Sequence, residues 1–342
     1  MAGSAKPTIA VAMGDPSGIS PELTARILAE PDLRESARLI VFGDRRLLEL
    51  GIRDSGVDPG VRVVREADDR PADAGGPIFV DLANHDPADL RRGEATLAGG
   101  TAATDNFRRA LRLAASGGAD AVFFTPFNKA AMRLAYPGYD DEIRFVRDAI
   151  GFEGAASEFN VLEGLWNARV TSHVPLSAVA RNITAERILK ALNLTDQNLR
   201  AAGFSPARIA VAALNPHAGD GGNFGREEID VIGPAVEAAK ATGLAVEGPY
   251  PSDTVFLRAR NGDFDAVLTM YHDQGQIAMK LIGFDRGVTL IGGFPFPICT
   301  PAHGTAYEIA GKGVANLGAT RAALALAIKM ASEKDSHRRA AA

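Results

Sequence analysis

Cysteine is almost absent from this chain. Cys299 is the only one, so no disulfide can form within the chain and no cysteine-rich zinc site can be built. Aromatic residues are scarce at 6%, with a single tryptophan. Basic charge is not in excess: 37 Lys and Arg stand against 42 Asp and Glu, a net charge of -5. No Lys/Arg block is interleaved with aromatics, so a nucleic-acid partner has no support. No apolar run approaches the roughly 20 residues needed to cross a membrane, and the opening MAGSAKPT carries no apolar signal core. The chain therefore reads as cytoplasmic, with no membrane partner.

What is present is a large apolar fraction, 46% of 342 residues, and 36 glycines without a collagen period. That composition suits a globular α/β protein of one or two domains. Apolar runs alternate with helical segments. TIAVAMG (8–14), RLIVFG (38–43), VRVVRE (61–66) and IFVDL (78–82) read as strands. The rest of 67–92 is polar and reads as a surface excursion that contains His85. Ser20 stands as an N-cap, with Pro21 at the first helical position. Further helices are expected over 44–51, 100–116, 184–200, 225–240 and 315–331, and the last ten residues read as a frayed tail. This alternation predicts a largely parallel central sheet, with ligands beyond the strand ends.

Three of the six histidines share one context. His173 follows ARVTS, His217 follows RIAVAALNP, and His272 follows AVLTMY, each just past an apolar strand. Parallel strands would bring all three to one edge. Three neutral imidazoles can hold Zn, Co or Ni and leave positions open for a substrate. A histidine after a strand also serves simply as a hydrogen-bond partner of backbone carbonyls. Lys129, in TPFNK, suits anion binding or proton transfer, or an ordinary solvated helix start. The loop NPHAGDGGNFG (215–225) suits close backbone packing, a lid or a surface turn. Asp273, beside His272, is a metal ligand, an imidazole anchor or a turn residue. Asp15 follows the first strand in a loop that is too short for a P-loop and is not G-x-G-x-x-G.

Taken in order, GDPSGISPE (14–22), TPFNK (125–129), TSHVPL (171–176), NPHAGDGG (215–222), PSDT (251–254), YHDQG (271–275), GFDRGV (283–288) and HGTAYEIAGKGVANLGA (303–319) resemble the 4-hydroxythreonine-4-phosphate dehydrogenase family over roughly 8–332. The resemblance implies an α/β fold of the isocitrate/isopropylmalate dehydrogenase kind, with two α/β domains, a central mostly parallel sheet and a cleft between the domains. The first, cofactor-side domain is expected over 1–135 and 300–342, and the second, metal- and dimer-side domain over 136–299. It also implies a homodimer with a shared active site, NAD, a small anionic substrate and a divalent metal (Zn, Co, Mn, Ni or Mg, with Zn favoured). The family's metal-binding histidines carry over to His173, His217 and His272, and its substrate-side lysines to Lys129 and Lys280. Lys129, Asp253 and Asp273 are the implied catalytic groups. His303, Gly304, Thr305 and Ala306 correspond to an adenosine-binding loop, with Gly14, Asn215 and Gly292 also on the cofactor side.

Some positions depart from the family pattern. Tyr139 and Asp140 replace the histidine and threonine of its G-H-T-E motif. Thr289 stands for an asparagine and Ile298 for an arginine that face substrate. Losing a guanidinium and gaining a carboxylate both oppose a phosphate dianion. The expectation is therefore oxidation of an unphosphorylated vicinal diol or hydroxy acid, with decarboxylation of the β-keto acid. A branch that oxidises aromatic cis-dihydrodiols is similar at these positions. The alternatives are 4-hydroxythreonine-4-phosphate dehydrogenase itself and a non-catalytic ligand-binding homologue.

Overall fold

The computed structural model describes residues 6–65 and 76–340. Part of the expected 67–92 excursion lies outside the described residues. The chain divides into two compact units. Unit 1 lies within Met1–Gly154 and Val288–Ala342, and unit 2 is Ala155–Gly287.

In unit 1 the strands are β1 (Thr8–Ala12), β2 (Arg38–Gly43), β3 (Arg62–Val64), β4 (Ile78–Asp81), β5 (Ala121–Phe124), β11 (Val288–Gly292) and β12 (Ile298–Pro301). They lie in the order β3-β4-β2-β1-β5-β12-β11. All pairs are parallel except β11 with β12. The helices are α1 (Ser20–Ala29), α2 (Pro31–Ser36), α3 (Arg45–Ser55), α4 (Leu97–Ala115), α5 (Lys129–Ala135), α6 (Glu142–Ile150) and α12 (Gly318–Ala340). The central strands read as unbroken apolar runs because both faces are covered. Four of the five residues of β1 and all four of β5 are buried.

Unit 2 has β6 (Ser157–Leu162), β7 (Leu165–Arg169), β8 (Ile209–Ala212), β9 (Val246–Tyr250) and β10 (Ala266–Thr269). Their order is β6-β7-β10-β8-β9, parallel apart from the β6–β7 hairpin. Helices α7 (Val179–Asn182), α8 (Ala185–Ala201), α9 (Gly233–Ala241), α10 (Ser252–Arg260) and α11 (His272–Gly283) complete it.

The division falls at other residues than the sequence suggests. Residues 136–154 and 288–299 cluster with unit 1. The physical reason is packing: Phe145 stacks 5.4 Å from Phe107 on α4, and Ile298 and Cys299 pair with Val122 and Phe123 of β5. Phe107 also touches Phe124 and Phe127, so one aromatic cluster joins α4, β5 and the loop that leads to Lys129. Residues 225–240 are not one helix; a π-helical turn at Glu228–Ile232 precedes α9. α12 runs on to Ala340, through most of the segment read as a frayed tail.

Two local expectations are corrected. Ser20 is not the cap of α1: Ile19 holds that place, and the Ser20 hydroxyl donates to the Pro126 carbonyl at 2.7 Å. His85 is not on the surface but 3% exposed, beneath the end of β4, where its backbone N–H donates to Asp44 Oδ2 at 3.1 Å.

Candidate functional site

The histidines of unit 2 follow three adjacent strands. β7, β10 and β8 run parallel and side by side, so His173, His272 and His217 leave the sheet at one edge. The ladder continues past β7 and β10: Val170 N–H donates to the Thr269 carbonyl at 2.9 Å, and the Thr171 hydroxyl to the Met270 carbonyl at 2.8 Å. These bonds bring the His173 and His272 rings to 5.7 Å between centroids. An ion bound about 2.0–2.1 Å from a nitrogen of each ring would hold the centroids roughly 5 Å apart, so the pair fits one divalent ion. His272 opens α11, and its Nδ1 lies 2.7 Å from Asp273 Oδ1. That contact engages Nδ1 and leaves Nε2 as the nitrogen an imidazole ligand would use. Gly275 seats the helix: a Cβ there would come within 2.1 Å of Asn167 Oδ1. Buried Arg169 braces the His173 loop, donating to Ser172 Oγ at 3.0 Å, Asn160 Oδ1 at 2.7 Å and Glu158 Oε2 at 2.6 Å.

His217 stands apart. Residues His217, Ala218, Gly219, Asp220 and Gly221 all have positive φ, and the His217 ring lies 6.2 Å from Phe224. The buried Glu228 carboxylate clamps the loop, accepting from the Leu214 and Asn215 N–H groups at 2.8 Å each. The Asn215 side chain is spent on Glu227 and Glu228, at 2.7 and 2.9 Å. Among the described residues no three His, Cys, Asp or Glu side chains form a group ready to hold a metal. His173 and His272 are the two rings brought close together, and His217 follows the strand next to that of His272. Asp253 is exposed in the first turn of α10, and Lys280 is exposed on α11 with Nζ 5.9 Å above the Phe284 ring.

Unit 1 gathers its candidate residues on loops beyond β1, β5 and β12. Asn128 caps α5, which begins at Lys129; Lys129 Nζ lies 3.8 Å from Glu142 Oε2 and is 44% exposed. Gly14 is buried, and a Cβ on it would meet the Thr125 and Pro126 carbonyls at 2.2 and 2.3 Å, so internal packing explains this glycine. His303 Nδ1 lies 3.0 Å from the Gly304 carbonyl, and Gly304 stands open to solvent. Thr305 is buried, and Ala306 has φ of 43°. Thr289 pairs with Thr300, and Gly292 ends β11.

The residues expected to distinguish substrates are placed otherwise. Tyr139 is 1% exposed and packs 6.2 Å from Phe145, so its ring belongs to the aromatic cluster. Ile298 is fully buried between Ile291 and Val122 of the neighbouring strands. Asp140 is exposed and engages Arg144 at 2.8 Å.

Asp15 is the group whose importance the sequence understates. It is 1% exposed, and burial raises its carboxyl pKa, against the bonds from Tyr307 and the Ser17 N–H. Both ring nitrogens of His85 and the Ser17 hydroxyl are buried without a hydrogen-bond partner among the described residues. Burial lowers the His85 pKa and keeps the ring neutral. Tyr307, Arg169 and Glu228 gave no sequence signal as site residues; only a bond from Tyr307 to a residue far away in sequence shows its role.

Comparison with known proteins agrees with this architecture. The family model described as "Pyridoxal phosphate biosynthetic protein PdxA" matches residues 35–327. A Rhizobium meliloti (strain 1021) protein named "Putative 4-hydroxythreonine-4-phosphate dehydrogenase 2" is 64% identical over 330 residues, covering 96% of this chain and 94% of that one. The crystal structure of 4-hydroxythreonine-4-phosphate dehydrogenase from Klebsiella pneumoniae superposes with a TM-score of 0.83 at 34% identity, covering 95% of this chain and all of that one. A terephthalate 1,2-cis-dihydrodiol dehydrogenase from Burkholderia xenovorans LB400 superposes with a TM-score of 0.65 at 28% identity, over 95% and 98% of the two chains. The fold is the α/β, mostly parallel isocitrate/isopropylmalate dehydrogenase type that the dehydrogenase structures share. No helix among the described residues is long and apolar enough to cross a membrane. The chain belongs to the PdxA family, and with it to the NAD-dependent oxidoreductases that employ a divalent metal.

Proposed function

We propose that the protein oxidises the secondary alcohol of a small phosphorylated hydroxy acid of the 4-hydroxythreonine-4-phosphate kind, with NAD⁺ as hydride acceptor. The observation that carries this reading is the 64% identity, over nearly the whole chain, to a protein of that name. It reverses the preference for an unphosphorylated substrate. That preference rested on Ile298 and Asp140; the Ile298 side chain is a core residue here, and the exposed Asp140 carboxylate is engaged by Arg144 at 2.8 Å. Their chemistry therefore says little about which anion a bound substrate carries.

In this reading the loop His303–Ala306 serves the dinucleotide, Lys129 serves substrate or proton, and the histidines serve the metal. A divalent ion held by His173, His272 and His217 would polarise the alcohol and carbonyl oxygens. Zinc suits the imidazole set best. Hydride loss from the carbinol carbon needs the hydroxyl proton to leave as well. Lys129 and Asp273 are the groups whose side chains can move it. Lys280 and Lys129 are the exposed cations suited to the substrate's anionic groups. Asp253 completes the polar set. The oxidised carbon lies β to a carboxylate, so loss of CO₂ follows readily once the ketone forms. The working enzyme is a homodimer.

A second reading is favoured by the dihydrodiol dehydrogenase match: an aromatic cis-dihydrodiol carboxylate as substrate. NADH formation should be measured with 4-hydroxythreonine phosphate, an aromatic cis-dihydrodiol and C4–C6 sugar acids. Saturable turnover of the phosphorylated compound is expected. Turnover confined to the dihydrodiol or to unphosphorylated acids would overturn the proposal.

A further inference from the structure

Residues 14–20 form a hub in unit 1. Asp15 N–H donates to the Pro126 carbonyl at 3.0 Å, and Gly14 N–H to the Thr125 hydroxyl at 2.8 Å, which ties the hub to the loop before Lys129. Ile19 N–H donates to the Thr305 carbonyl at 3.0 Å, and Tyr307 Oη donates to Asp15 Oδ2 at 2.5 Å, which ties it to the loop His303–Tyr307. Gly18 allows the approach, since a Cβ there would come within 2.5 Å of the Thr305 carbonyl oxygen. Between the two ties sits Ala306, with φ of 43°. A non-glycine residue keeps that backbone only where its surroundings hold it there. Here the residue before it and the residue after it are each bonded to the hub.

We propose that Asp15 and Tyr307 are positioning residues for cofactor binding: their bond holds Ala306 in its left-handed conformation and so presets the His303–Ala306 backbone for the dinucleotide. The inference rests on the reading of that loop as the NAD edge. Neither residue needs to touch the cofactor. Asp15 is a rigid acceptor because it is buried and its Oδ1 also accepts from Ser17 N–H at 2.9 Å. Without the tyrosine hydroxyl, the loop samples other backbone states, and apparent affinity falls by the fraction that stays competent.

The test is titration of the full-length protein with NAD⁺ by calorimetry, alongside steady-state kinetics with the metal-loaded enzyme. Y307F keeps the ring and removes the donor. It should weaken NAD⁺ binding and raise its KM by about tenfold, with kcat at saturating NAD⁺ and metal affinity unchanged. D15N keeps one oxygen for the Ser17 N–H and offers its amide N–H to the Tyr307 hydroxyl oxygen, so the tie persists with its direction reversed and NAD⁺ affinity should stay within about threefold of wild type. Y307F affinity within twofold of wild type, or a fall in kcat in place of the KM change, would overturn the inference alone. Wild-type protein that binds no NAD⁺ would instead overturn the reading beneath it.

Discussion

The two units place functional residues at strand ends in opposite styles. In unit 1 the loops beyond β1, β5 and β12 are interlocked through Gly14, Asp15, Pro126 and Thr305, and most of these atoms are buried. In unit 2 the histidine loops stand more open, with the His272 side chain 35% exposed and Asp273 beside it 74% exposed. The lesson is that similar strand-to-loop patterns serve different ends. Unit 1 spends its loop polarity on holding a backbone shape, whereas unit 2 leaves its side chains available to a ligand.

Three measurements sharpen or break that contrast. The largest effect is expected in unit 2. H272A should weaken Zn²⁺ binding to the apo protein by more than about 100-fold, since even outer partners of metal ligands are worth 10–100-fold. Its melting temperature without metal should stay near that of wild type, because the ring is not a core residue. A large loss of apo stability in H272A would erase the contrast. In unit 1 the order reverses. G18A forces a Cβ against the Thr305 carbonyl, and overpacking of this kind costs about 1–3 kcal/mol. Urea unfolding should show that loss, with metal affinity intact. Unchanged stability in G18A would mean the loops give way freely.

The smallest effect concerns His85. Burial lowers its folded-state pKa, so the folded state binds fewer protons than the unfolded chain. Its contribution is present above the ordinary histidine value of about 6.5 and is lost as pH falls through the folded-state value. H85Q should flatten the stability-against-pH curve between the folded-state value and about 6.5. Identical slopes for the two proteins would show that His85 is not held neutral.

Much of the fold was legible in the chain. Unbroken apolar runs such as AVFF and IAVA mark strands covered on both faces, and each is fully buried. The strand-then-histidine context of His173, His217 and His272 was equally plain. Other features were not legible. His85 sits in a polar stretch, yet β4 lies inside the sheet between β3 and β2 and carries it inward. Ser20 has a capping side chain, but the Pro126 carbonyl, distant in sequence, takes its proton. Tyr139 and Ile298 occupy family substrate positions by alignment, yet their side chains pack into the core.

The sequence by itself determined the α/β class, the family and the set of chemical groups, because periodicity and motifs are local properties of a chain. Only the tertiary structure decided which groups meet. It put β10 between β7 and β8, so that His272 stands in the middle of the three histidines. It also joined Tyr307 to Asp15 across 292 residues. Strand order and long-range bonds come from the way buried faces are shared among elements, and no stretch of sequence carries that information alone.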